Sequence, residues 1–72
     1  MTTRLASLMQ ERALSQLRLR VLTGLARQTI TEAFHGRSVS LETKLKIAEA
    51  LDVPPNELWP ETAEVLARVV VG

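Results

Sequence analysis

Ser15-Gln-Leu-Arg-Leu-Arg-Val-Leu-Thr-Gly24-Leu-Ala-Arg-Gln-Thr-Ile-Thr-Glu-Ala-Phe-His-Gly36 is the stretch on which the folding of this chain turns. It reads as two short helices joined by a tight turn at Gly24. Ser15 can cap the first helix, because its hydroxyl accepts one of the backbone N–H groups that a helix start leaves unpaired. Leu19 then faces inward. Gly24 sits where the chain must turn sharply, and glycine alone enters the left-handed backbone region without a steric penalty. Leu25 returns to the core, and Ile30, Ala33 and Phe34 follow it at intervals of about one helical turn. A helix, a glycine turn and a second helix with one apolar face make a helix-turn-helix.

The same reading extends in both directions. Upstream, Thr2 or Thr3 can cap an earlier helix in which Leu5, Leu8, Met9 and Arg12 fall at helical spacing. Ala13-Leu14 is a short apolar joint, with Leu14 placed to pack beside the Ser15 cap as a hydrophobic staple. The two central helices are expected over about Gln16–Leu22 and Ala26–His35. The first of these is unusually apolar, since Leu17, Val21 and Leu22 join Leu19. Either it is turned a little about its axis or that surface meets a partner. Downstream, Ser40 caps a fourth helix with Glu42 in its first turn, where the helix dipole favours negative charge. Leu41, Leu45, Ala48 and Leu51 form its expected buried stripe, with Ile47 alongside and Lys44 and Lys46 toward solvent. Asp52-Val53-Pro54-Pro55 stops that helix, and Pro55 suits the first turn of a short fifth helix ending near Trp59. From Glu61 the chain favours helix, but Val69-Val70-Val71 favours strand.

Composition narrows the classes. Seventy-two residues suffice for one domain. A core of that size rarely supplies more than about 3–5 kcal/mol, so self-association is the expected source of further stability. Cysteine is absent, which excludes disulfides and thiolate metal sites. No apolar run approaches the roughly 20 residues of a membrane span, and no signal-peptide run opens the chain. A cytoplasmic location without membrane attachment is therefore expected. The net charge of +1 conceals an asymmetry. Residues 1–40 hold six arginines against two glutamates, or +4, and residues 41–72 hold three cations against six carboxylates, or −3. A polyanion would be drawn to the first half and repelled by the second.

The ordered set Ser15-Gln16, Leu19, Gly24-Leu25, Thr29-Ile30 and Gly36 continues through Ser40-Leu41, Leu45-Lys-Ile-Ala-Glu-Ala-Leu51, Val53 and Asn56-Glu-Leu-Trp59. On these residues the chain resembles the phage-repressor and Cro-like (Xre-type) helix-turn-helix DNA-binding family, over roughly Leu5 to Trp59. It departs from the family pattern at three positions. Arg20 stands where the family usually has alanine, Ala26 where it has serine or threonine, and Asp52 where it often has glycine. A small residue at the first of these lets the two helices cross closely. An arginine there can lay its stem along the surface and keep its charge in water. The resemblance implies an all-α, compact five-helix, lambda-repressor-like domain over residues 1–60, with a C-terminal tail of helix or strand over 61–72.

The resemblance also assigns roles. The third helix presents Arg27, Gln28, Thr31, Glu32 and His35 opposite Ile30 and Phe34, and in the family that face enters the DNA major groove. Arginine can grip the two acceptors of guanine and glutamine can pair with adenine, so Arg27 and Gln28 are the first candidates for base reading. Thr31 and Glu32 follow, Glu32 either accepting from cytosine or orienting Arg27 or Arg37. Gln16 matches a family position that bonds a phosphate, and Arg37, His35 and Arg18 complete the phosphate candidates. The competing reading of all of these is a solvated polar face. Val65, Leu66, Val69, Val70 and Val71 are more apolar than a free terminus should be, and they either cover the body or form a dimer contact. A dimer would set two third helices about 34 Å apart in successive major grooves of a palindromic operator.

These readings converge on a dimeric transcriptional repressor acting by operator occupancy. The alternative is a protein-binding module on the same fold, such as an antitoxin or a small phage-encoded inhibitor. No catalytic pair, nucleotide-binding loop or metal-ligand cluster can be assembled from the sequence, and His35 is its only histidine. No cofactor and no small-molecule effector is expected.

Overall fold

The computed structural model describes residues 2–64 and contains helices without any strand among them. Helix α1 spans Arg4–Glu11, α2 Gln16–Thr23, α3 Arg27–Phe34, α4 Leu41–Leu51 and α5 Pro55–Leu58. Residues 62–64 are again helical. The expected tail contacts Val65, Leu66, Val69, Val70 and Val71 lie outside the described residues.

The starts of the helices follow from their capping residues. Thr3, Ser15 and Ser40 each adopt extended backbone, and their hydroxyls accept the N–H of Ala6, Arg18 and Thr43 respectively. Ala26 starts α3 without any side-chain cap. Pro54 precedes α5, with Pro55 in its first turn as the missing N–H permits.

Four helices end in left-handed residues: Ala13, Gly24, Gly36 and Asp52. After α1, α3 and α4 the chain forms the paired bonds of a Schellman turn. Leu14 N–H reaches Met9 C=O, Arg37 N–H reaches Glu32 C=O, and Val53 N–H reaches Ala48 C=O. The turn after α2 is simpler, with one bond from Gly24 N–H to Arg20 C=O at 2.8 Å. There the Thr23 hydroxyl donates to Leu19 C=O and accepts from Leu25 N–H, which fixes the entry to α3.

The core is built from Leu5, Met9, Leu19, Ile30, Ala33, Ile47, Ala48, Leu51 and Leu58, with Trp59 half-buried at its edge. Helix α2 packs on α3 and α4, while α1 packs on α3 and α5. Helix α1 also fastens the ends of the other helices. The Thr3 hydroxyl donates to Phe34 C=O, the Arg4 guanidinium to Glu57 C=O, and the Arg12 guanidinium to Leu51 C=O. Those carbonyls lie at the C-terminal ends of α3, α5 and α4, where orphan acceptors and the negative end of the helix dipole favour donors and cations.

Two expectations for α4 need correction. Leu45 is 37% exposed and does not belong to the buried stripe. The inward positions are Thr43, Ile47, Ala48 and Leu51, so the helix is turned to centre Ile47 on the core. Thr43 tolerates its inward place because its oxygen accepts the Ser40 hydroxyl at 3.0 Å. Lys44 does not point into solvent; its side chain is 17% exposed and meets Glu61 at 3.3 Å. Lys46 remains on the surface, paired with Glu42 one turn earlier. The packed body continues to Thr62, which is buried with its hydroxyl donating to Trp59 C=O.

Candidate nucleic-acid interface

Helix α3 is held by its apolar side. Ile30 and Ala33 are buried and Phe34 is half-buried, which turns Arg27 and Gln28 fully outward at the helix start. Thr31 and Glu32 are half-buried on the following turn. The uncapped start at Ala26 leaves the first N–H groups of α3 beside Arg27 and Gln28, adding donor character to that end.

Helix α2 brings Gln16 to the same region. Its side-chain oxygen accepts the Thr31 hydroxyl at 3.4 Å. That leaves the two amide N–H bonds of Gln16 for an acceptor outside the protein. Ser15 takes up the N–H of Arg18, whereas those of Gln16 and Leu17 have no partner among the described residues. An amide and two backbone donors thus face outward at the start of α2.

Arg37 follows the left-handed Gly36, and its own N–H is locked to Glu32 C=O at 2.9 Å. This fixes where its exposed side chain departs at the end of α3. Glu32 makes no ion pair with Arg27 or Arg37 among the described residues, so it does not orient either. His35 sits apart from the others. Its ring meets Phe34 edge-on, with centroids 5.4 Å apart, and it borders a cleft of about 460 Å³ between α1 and the end of α3. Arg18 is exposed on the outer arc of α2.

The charge count along the sequence overstates what this face offers. Arg4 and Arg12 are turned onto helix ends as braces. Arg18, Arg20, Arg27 and Arg37 hold no ion pair among the described residues. Leu19 is fully buried, so the helix is not rotated, and Leu17, Val21 and Leu22 stand 64%, 70% and 49% exposed.

A family model described as a Cro/C1-type HTH DNA-binding domain matches residues 4–59. The chain belongs to that family. The matched stretch opens on the first residue of α1 and closes on Trp59, immediately after α5, and so takes in all five helices. Neither a curated protein nor a solved structure gave a match. This HTH domain is therefore a double-stranded DNA-binding domain, and α2 and α3 are its helix-turn-helix. No helix among the described residues is long and apolar enough to cross a membrane. No group of three or more His, Cys, Asp or Glu side chains is placed among them to hold a metal ion.

Proposed function

We propose that this HTH domain is a sequence-specific DNA reader that works as a dimeric transcriptional repressor by occupying its operator. The observation that carries this reading is the outward face of α3, where exposed Arg27 and Gln28 lead into a Thr31 already bonded to Gln16 of α2. Arg27 would take the paired acceptors of a guanine and Gln28 an adenine. Thr31 has spent its proton on Gln16, so it meets the groove as an acceptor and suits a base amino group. Glu32 is an acceptor as well. Gln16 and Arg37 would bond backbone phosphates on either side, with Arg18 and His35 as outlying contacts. The tail residues Val65, Leu66, Val69, Val70 and Val71 would supply the dimer contact from residues 61–72, beyond a reading domain of residues 1–60.

Selection of bound sequences from random duplex DNA tests this directly. An enriched near-palindrome with half-sites about 10 base pairs apart is the expected result. Steep salt dependence without any enriched sequence would reduce the interface to non-specific attraction. In the joint variant Arg27→Ala/Gln28→Ala the preference should vanish while most salt-dependent binding to random DNA persists. Equal loss on both kinds of DNA would contradict base reading.

One observation favours a second reading. Leu17, Val21 and Leu22 leave an open apolar surface on α2. A protein-binding module, such as an antitoxin or a phage-encoded inhibitor, would use such a surface. It would form a stable complex with another protein and bind DNA weakly without regard to sequence.

A further inference from the structure

Arg20 lies one turn beyond Gln16 on α2, and both are half-buried. Gln16 touches Thr31, so this is the side of α2 turned toward α3. Side chains on a helix lean back over the preceding turn, which carries the Arg20 stem toward Gln16 and the start of α2. Its Nε is fully buried and has no hydrogen-bond partner. Its terminal nitrogens have no partner either; they are not among the buried polar atoms and so reach the surface. No carboxylate pairs with it among the described residues. Burying an unpaired N–H is costly, and an apolar side chain would fill the helix crossing without that cost.

We propose that Arg20 is a phosphate-binding residue, its guanidinium gripping the same DNA backbone phosphate that Gln16 addresses. This rests on the DNA-binding reading above. The Gln16 amide, the unpaired N–H groups of Gln16 and Leu17 and the Arg20 head would surround one anion. The planar guanidinium fork matches phosphate oxygens in a way that no other side chain does. Arg20 thereby adds an ionic contact at a point where the helix start alone offers only neutral donors.

The test is the affinity of the full chain for a random duplex across a salt series. Arg20→Met keeps the apolar stem as far as the level of Nε and removes the charged head; Arg20→Gln is a second uncharged variant, and melting followed by circular dichroism confirms that each is folded. The expected result is a slope of log affinity against log salt shallower by about 0.9 in the uncharged variants. Between 50 and 200 mM salt they should then lose about 3.5-fold less affinity than the unaltered chain. Arg20→Lys should keep the slope, and base preference should be the same in all of them. A folded Arg20→Met or Arg20→Gln with the original slope would overturn the role of Arg20 alone. An unaltered chain with no salt-dependent binding to any duplex would overturn the DNA-binding reading along with it.

Discussion

The Thr31 hydroxyl donates to the side-chain oxygen of Gln16 across 3.4 Å, and this bond joins the helix proposed to read bases to the one proposed to hold phosphate. It is long for a hydroxyl donor, so it orients Gln16 more than it stabilises the fold. Thr31→Val should therefore weaken binding to random DNA, by letting the Gln16 amide wander, and weaken binding to the specific site further, because the acceptor offered to a base is lost as well. A double-mutant cycle with Gln16→Ala, read as DNA affinity, should give a coupling of about 0.5 kcal/mol. A coupling of zero would separate the two residues.

The glycines after α2 and α3 make unequal demands. Both are left-handed, at φ +72 for Gly24 and +80 for Gly36, so alanine is strained at either. At Gly24 the added Cβ meets nothing within 4 Å, whereas at Gly36 it meets Thr3 Cγ2 at 2.9 Å. Gly24→Ala should cost about 1 kcal/mol. Gly36→Ala should cost more, because Thr3 must shift while it caps α1 and bonds Phe34 C=O. Chemical denaturation of the two variants provides the comparison.

Helix α3 starts on Ala26 and lacks the cap that Thr3, Ser15 and Ser40 give their helices. The Ala26 backbone is already extended, as a cap requires. Ala26→Ser should stabilise the domain by about 0.5–1 kcal/mol. For a domain of this size that is a rise of roughly 2–8 °C in melting temperature.

Glu61 is held below the ordinary glutamate value of 4.5, first by its own backbone N–H and then by Lys44. A carboxyl with a lowered folded value contributes stability above its unfolded value and loses it as pH falls through the folded one. The contribution is therefore complete above about pH 5 and declines below pH 4.5. The pair is exposed on the Glu61 side, so its worth is under about 1 kcal/mol and falls with added salt. In Lys44→Met this acid-sensitive part of the melting curve should shrink, and by less in 1 M salt than in dilute buffer, as roughly a 3 Å screening length requires.

Much of this architecture is written in short-range signals. Hydroxyl caps at Ser15 and Ser40, the turn at Gly24 and the prolines at the start of α5 mark helix ends by their own chemistry, and the ends fall within a residue or two of those marks. The face of α3 was legible because Ile30 and Ala33 repeat at helical spacing and leave Arg27 and Gln28 opposite. What the spacing did not carry is how α4 is turned. Leu45 and Thr43 exchange places because Ile47 and Leu51 centre the helix on the core, and the Ser40 hydroxyl satisfies the threonine. The left-handed Ala13 was equally silent, since alanine gives no hint of that backbone. Long-range ties were invisible too: a net-charge count cannot tell an arginine that braces a helix end from one that faces an anion.

The three reaches of α1 to the ends of α3, α4 and α5 bear on how the molecule opens. A helix-turn-helix cut out at residues 15–36 would lose Thr3 from the end of α3, and would lose Ile47 from the core cluster to which Leu19 and Ile30 belong. Neither half has a core of its own, so the last turns of α3, α4 and α5 should exchange their amide hydrogens together, by global unfolding and not by separate fraying. The reading helix is thus presented to DNA by a single cooperative unit, and loosening the first dozen residues loosens it as well.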